Sequence, residues 1–244
     1  MKRVFVKTKN VKNFITMMNN LQQRADGVPG MGLVYGEPGL GKTQAVNWWA
    51  MKNDAIVVRC SNLMSVRWLL SEVVEELGEM PYYSTADSFK LIVQKLINEP
   101  RVIIFDEIDY LTSEHNVIET IRDIHDKTNV PVVLVGMAQA NTRLMRYKHL
   151  YDRISEIVRF EPFTKYDLNQ ILKELAEVEL TDCAIKYIHS KTNRFRQIVK
   201  IINKAEILAK ANGLSTIDEI ILKEVIKDET TDSEAVETTD KIKV

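Results

Sequence analysis

The chain has 244 residues, enough for one large domain or a large domain with a small one attached. Its 33 lysines and arginines against 34 acids leave a formal charge of −1, which excludes gripping nucleic acid through net charge alone but not through a local basic stripe. Two distant cysteines, Cys60 and Cys183, exclude a disulfide framework or a zinc ribbon. No apolar run reaches membrane-span length and no signal-type run follows Met1, so the expectation is a soluble, cytoplasmic protein with no membrane contact.

The first residues carry Lys2, Arg3, Lys7, Lys9, Lys12 and Arg24 and no acid, which reads as a basic N-terminal arm or linker, 1–26, with a short helix. Five short apolar runs then read as strands: Gly32–Tyr35, Ala55–Val58, Val102–Phe105, Val132–Val135 and Ile157–Phe160. Four are almost continuously apolar or β-branched, as parallel strands covered on both faces must be. Val66, Leu69, Leu70, Val73, Val74 and Leu77 show helical spacing, and Gly78 marks the helix end. Strands alternating with helices imply an α/β body, 27–161, built on an open parallel sheet with right-handed crossovers.

Beyond Pro162 the strand signal stops. Thr164 opens a helical run with Asp167 as a capping-box partner, and helical patterns follow at 181–190, 194–212 and 216–227. These predict a small all-helical subdomain, 162–227. The last residues, 228–244, are acidic and threonine-rich with almost nothing apolar, and read as a disordered tail.

Two segments carry chemistry. Gly36-Glu37-Pro38-Gly39-Leu40-Gly41-Lys42-Thr43 fits the phosphate-loop pattern, lying between a strand and the helical run that begins near Gln44. Its glycines let backbone N–H groups turn inward, the following helix presents its positive end, Lys42 adds a point charge, and the Thr43 hydroxyl is a hard ligand for Mg2+. Val102–Phe105 ends in Asp106 and Glu107, at the carboxyl edge where open α/β sheets bind ligands. Asp106 suits a magnesium site shared with Thr43, and Glu107 suits the activation of water at a γ-phosphate. Asp109 reads as a loop or capping acid. The cofactors expected are ATP and Mg2+.

The phosphate loop, the Asp-Glu pair, the five strands and the trailing helices together resemble the AAA+ ATPases. That resemblance implies a ring or helical assembly and three further polar positions. Arg196, with Arg194 as the fallback, matches the sensor-2 arginine that opens a lid helix. Arg153 matches the arginine finger, with Arg143 and Arg146 as rivals. The tip of the fourth strand lacks the usual Asn or Thr of sensor 1, so Gln139 is the substitute, and slow hydrolysis is expected.

The segments Asp106–Leu111, Val132–Met137 and Phe160–Phe163 are similar to those of the DNA-transposition ATPases, the phage Mu B, TnsC and TniB type. The resemblance implies assembly on duplex target DNA in the ATP state, presentation of that DNA to a transposase, and disassembly on hydrolysis. It also implies that Arg67, Ser84 and Thr85 face the DNA backbone. A helicase loader or replication initiator of a mobile element remains an alternative, as does a nucleotide-gated module that never touches DNA.

Overall fold

The computed structural model describes residues 1–2 and 4–226; the expected disordered tail at 228–244 lies outside the described residues. The chain divides into two compact units, Lys9–Glu161 and a second made of Met1–Thr8 with the residues from Pro162 on.

The first unit begins with α1 (Lys9–Gln22) and continues through β1 (Met31–Gly36), α2 (Lys42–Asn53), β2 (Ile56–Arg59), α3 (Val66–Glu76), α4 (Thr85–Asn98) and β3 (Ile103–Asp106). A 3-10 turn at Ile108–Leu111 leads to α5 (His115–Thr128), β4 (Val132–Gly136), α6 (Ala140–Leu144), α7 (Lys148–Tyr151) and β5 (Ile154–Phe160). The strands form one parallel sheet in the order β2-β3-β4-β1-β5. Central strands β1, β3 and β4 are apolar and buried on both faces, whereas edge strand β5 alternates in exposure, as one covered face requires. The core under the sheet joins Leu33, Val58, Leu70, Val73, Ile92, Phe105, Ile121 and Leu134.

The basic N-terminal segment is not a solvated arm. In α1, Val11, Phe14, Met17, Met18 and Leu21 are buried, and Phe14 meets the Trp49 ring edge-on, with centroids 6.4 Å apart. Five apolar residues at helical spacing outweigh Lys9 and Lys12, which stay exposed. Arg24 is structural too: its guanidinium donates to the carbonyls of Leu21, Val28 and Asn129, tying the end of α1 to the turn before β4.

The second unit holds α8 (Lys165–Leu175), β6 (Glu179–Leu180), α9 (Asp182–Lys191), α10 (Phe195–Ala211), β7 (Thr216–Ile217) and a final helical stretch, 219–226. Thr164 and Asp167 form the reciprocal capping box that starts α8. The helices close over Leu168, Ile171, Ile188, Ile198, Ile202 and Leu222, and Val6 of the N-terminal segment joins them. This unit is not purely helical: β6 and β7 pair in parallel, Glu179 with Thr216 and Leu180 with Ile217. Two-residue strands leave no periodicity to read, so the long-range pairing was invisible in the sequence.

Candidate nucleotide-binding site

β1 delivers Gly36 at the carboxyl edge of the sheet, and the loop Glu37–Gly41 turns from it into α2. Leu40 is buried and anchors the loop from below. Gly41 occupies the N-cap of α2 with φ 88°, a left-handed conformation open to glycine at little cost, and no side chain caps the helix. The first N–H groups of α2, through Lys42, Thr43 and Gln44, are thus left for an anion, and the helix end adds its positive partial charge.

The Lys42 ammonium donates to the carbonyls of Gly36 at 2.7 Å and Glu37 at 2.9 Å, so it is folded back across its own loop. Burial pushes its pKa below the usual lysine value, with Asp106, then Asp109 and Glu37, opposing. An incoming phosphate offers this half-buried ammonium a full negative charge in place of two carbonyl dipoles.

β3 places Asp106 beside the loop, although β4 separates the two strands in the sheet. The Thr43 hydroxyl donates to Asp106 Oδ2 at 2.8 Å, and Asp106 Oδ1 accepts the backbone N–H of Glu107 at 2.9 Å. Desolvation raises the pKa of Asp106, while the Thr43 and Glu107 hydrogen bonds hold it down. A hydroxyl and a desolvated carboxylate in contact, next to a phosphate loop, form the hard-oxygen donor set that suits Mg2+.

Glu107 adopts φ 58°, ψ 39°, a left-handed conformation disfavoured for a residue with a Cβ. Such local strain at a sheet edge marks a position whose side-chain direction matters. That side chain is engaged: Arg59, the last residue of β2, donates to Glu107 Oε1 at 2.7 Å. Arg59 was missed in the sequence, although it ends edge strand β2 in register with Asp106 on β3.

The remaining expected residues fall into separate places. Gln139 caps the start of α6, exposed, and accepts from Arg143 at 2.9 Å. Arg153 precedes β5 at the amino edge of the sheet, opposite the phosphate loop, where Met31 N–H binds its carbonyl. Its guanidinium forms two hydrogen bonds to Asp126, at 2.9 and 3.3 Å. Its rival Arg146 is exposed on the turn after α6. Arg194 and Arg196 lie in the second unit at the start of α10, both exposed.

Arg67 extends from the first turn of α3, and its guanidinium lies 4.6 Å from the centre of the Tyr83 ring. Ser84 is the N-cap of α4, its hydroxyl accepting from Asp87 N–H at 3.3 Å, and Thr85 is the first helical residue. The beginnings of α3 and α4 therefore stand side by side.

Residues 25–144 match the AAA domain family. That span runs from the end of α1 through the phosphate loop and the Asp106-Glu107 pair to α6. Over 228 aligned residues the chain is 27% identical to a potential ATP-binding protein of Staphylococcus aureus, covering 77% of this chain and 83% of that protein. Among solved structures, the Aeropyrum pernix ORC2 protein in its ADP form superposes with a TM-score of 0.71 at 17% identity, over 93% of this chain and 70% of that one. The Aeropyrum pernix ORC1 protein in complex with DNA gives 0.65 at 16% identity, over 97% and 69% of the two chains. The fold is thus that of the AAA+ P-loop ATPases.

Proposed function

We propose that this protein is a magnesium- and ATP-dependent ATPase that assembles on duplex DNA in its ATP state, recruits a transposase there, and leaves the DNA on hydrolysis. The carrying observation is the contact between the Thr43 hydroxyl and the Asp106 carboxylate beneath a loop whose lysine is folded back on its own carbonyls. Phosphate loop, metal donors and a candidate base, Glu107, all stand at one sheet edge.

Bound magnesium–ATP supplies the phosphoanhydride that is cleaved. Lys42 and the free N–H groups of α2 hold its phosphates, and Thr43 and Asp106 hold the metal. Glu107, released from Arg59, orients a water and accepts its proton as the oxygen attacks the γ-phosphorus. Arg153, with Arg143 and Arg146 as rivals, acts across a subunit boundary, and Arg196, with Arg194 as the fallback, is the sensor-2 arginine that the AAA+ resemblance implies. Gln139 is a weak sensor, since its amide already serves Arg143.

DNA binding rests on Arg67, Ser84 and Thr85 at the adjoining starts of α3 and α4. Helix N-termini, hydroxyls and a guanidinium suit phosphate oxygens and grip without reading bases. The similarity to the Aeropyrum pernix ORC1 protein, seen in complex with DNA, is in keeping with this. The transposase follows from the transposition-type segments Asp106–Leu111, Val132–Met137 and Phe160–Phe163. The same ORC likeness favours a second reading, a replication-initiator-like or helicase-loading ATPase.

Electron microscopy of protein with duplex DNA and ATP tests assembly, and its absence at micromolar protein refutes the DNA-bound state. Affinity capture from the native host then separates the readings: a transposase supports the first, a replicative helicase without transposase the second.

A further inference from the structure

Sheet order makes the tip of β4 a sensitive place, because β4 alone separates the acid-bearing strand β3 from the phosphate-loop strand β1. AAA+-like sequences are expected to put a polar side chain there, and this chain puts Gly136, Met137 and Ala138. Gln139, the nearest polar residue, turns to Arg143.

A carboxylate nonetheless stands at that tip, supplied by the neighbouring segment. Asp109, in the 3-10 turn after β3, accepts the backbone N–H of Met137 on Oδ2 at 2.5 Å. The fit is close: a Cβ on Gly136 would lie 2.7 Å from the same oxygen and 2.5 Å from the Ala140 methyl. The glycine that removed the expected side chain is what admits Asp109. Asp109 is also close enough to Lys42 for its charge to offset part of the burial of that ammonium.

We infer that Asp109 is a positioning residue for ATP hydrolysis, tethering the end of β4 to the turn that carries Glu107 so that acid and phosphate loop keep their spacing. The inference rests on the ATPase reading above. Glu107 lies two residues before Asp109, so a shift of the turn moves the candidate base, and displacements near 1 Å cost on the order of 100-fold in rate. The tether depends on an oxygen acceptor, not on charge. Asparagine can supply that acceptor and alanine cannot.

Steady-state ATPase assays and nucleotide titrations on the full chain compare wild type, Asp109→Ala and Asp109→Asn. Asp109→Ala is expected to lower kcat about 10-fold or more with ATP affinity within about 3-fold, the signature of a lost transition-state arrangement. Asp109→Asn is expected to keep most of kcat. Hydrogen exchange at the Met137 amide should quicken in Asp109→Ala and stay slow in Asp109→Asn. Wild-type kcat in Asp109→Ala overturns the inference, as do equal losses in both variants or a loss confined to ATP affinity. A wild-type protein that binds no ATP overturns the ATPase reading instead.

Discussion

Arg59 at the end of β2 and Glu107 just past the end of β3 are joined by a 2.7 Å ion pair between adjacent strands. Glu107 is the base proposed above, and here its Oε1 accepts a hydrogen bond from the Arg59 guanidinium. If the pair restrains that base, Arg59→Ala is expected to raise basal ATP turnover several-fold. Phosphate release assayed without DNA or partner checks this, and unchanged or lower turnover counts against a restraining role.

Lys42 and Glu107 are expected to separate binding from chemistry. Lys42→Ala removes the half-buried ammonium and should weaken ATP binding about 100-fold or more, given charge-assisted contacts to phosphate. Glu107→Gln keeps the side chain's shape and should leave affinity within about 3-fold while turnover falls about 100-fold or more. Calorimetric titration and phosphate release on the same preparations decide both points.

Asp106 exchanges stability for function. It is 4% exposed, and desolvation raises its pKa, so keeping it ionised costs folding free energy at neutral pH. Asp106→Asn keeps one oxygen to accept the Glu107 N–H, lets its amide donate to the Thr43 hydroxyl oxygen, and removes the buried charge. The variant is expected to melt higher than wild type without nucleotide, by about 2–4 °C per 1 kcal/mol in a domain of this size. It should also lose the stabilisation that wild type gains from magnesium–ATP. Differential scanning calorimetry with and without ligand reads both effects.

His125 predicts a pH dependence. Its Nδ1 lies 2.8 Å from the Val130 carbonyl and its Nε2 accepts Gly30 N–H at 3.2 Å, which requires the neutral ring with the proton on Nδ1. Burial lowers its pKa below 6.5, Arg24 and Arg153 lower it further, and the Val130 bond and Asp126 oppose. The unfolded chain therefore takes up the proton first as pH falls, and His125 costs stability progressively below about 6.5. Above that pH it contributes no dependence. Urea midpoints from pH 8 to 5 should fall more steeply in wild type than in His125→Asn, and parallel curves contradict the assignment.

The loop Gly36–Thr43 and the strand ending Asp106-Glu107 were legible along the chain because their chemistry is local. A phosphate loop needs glycines and a lysine within a few positions, and a strand buried on both faces announces itself as an apolar run closed by acids. The five strands and the capping box at Thr164 were readable for the same reason. Arg59 and Asp109 were not, because what matters about each is a partner on another strand: Glu107 across the β2–β3 ladder, Met137 N–H at the tip of β4. Neither were the β6–β7 pairing and the packing of α1, where tertiary burial of Phe14, Met17 and Met18 overrode the charges around them. Order along the chain could name the groups proposed to hold phosphate and metal. Only the pairing of β2 with β3 and of β3 with β4 decided what meets Glu107 and Asp109, because those contacts join residues far apart in the chain and leave no mark in its local pattern.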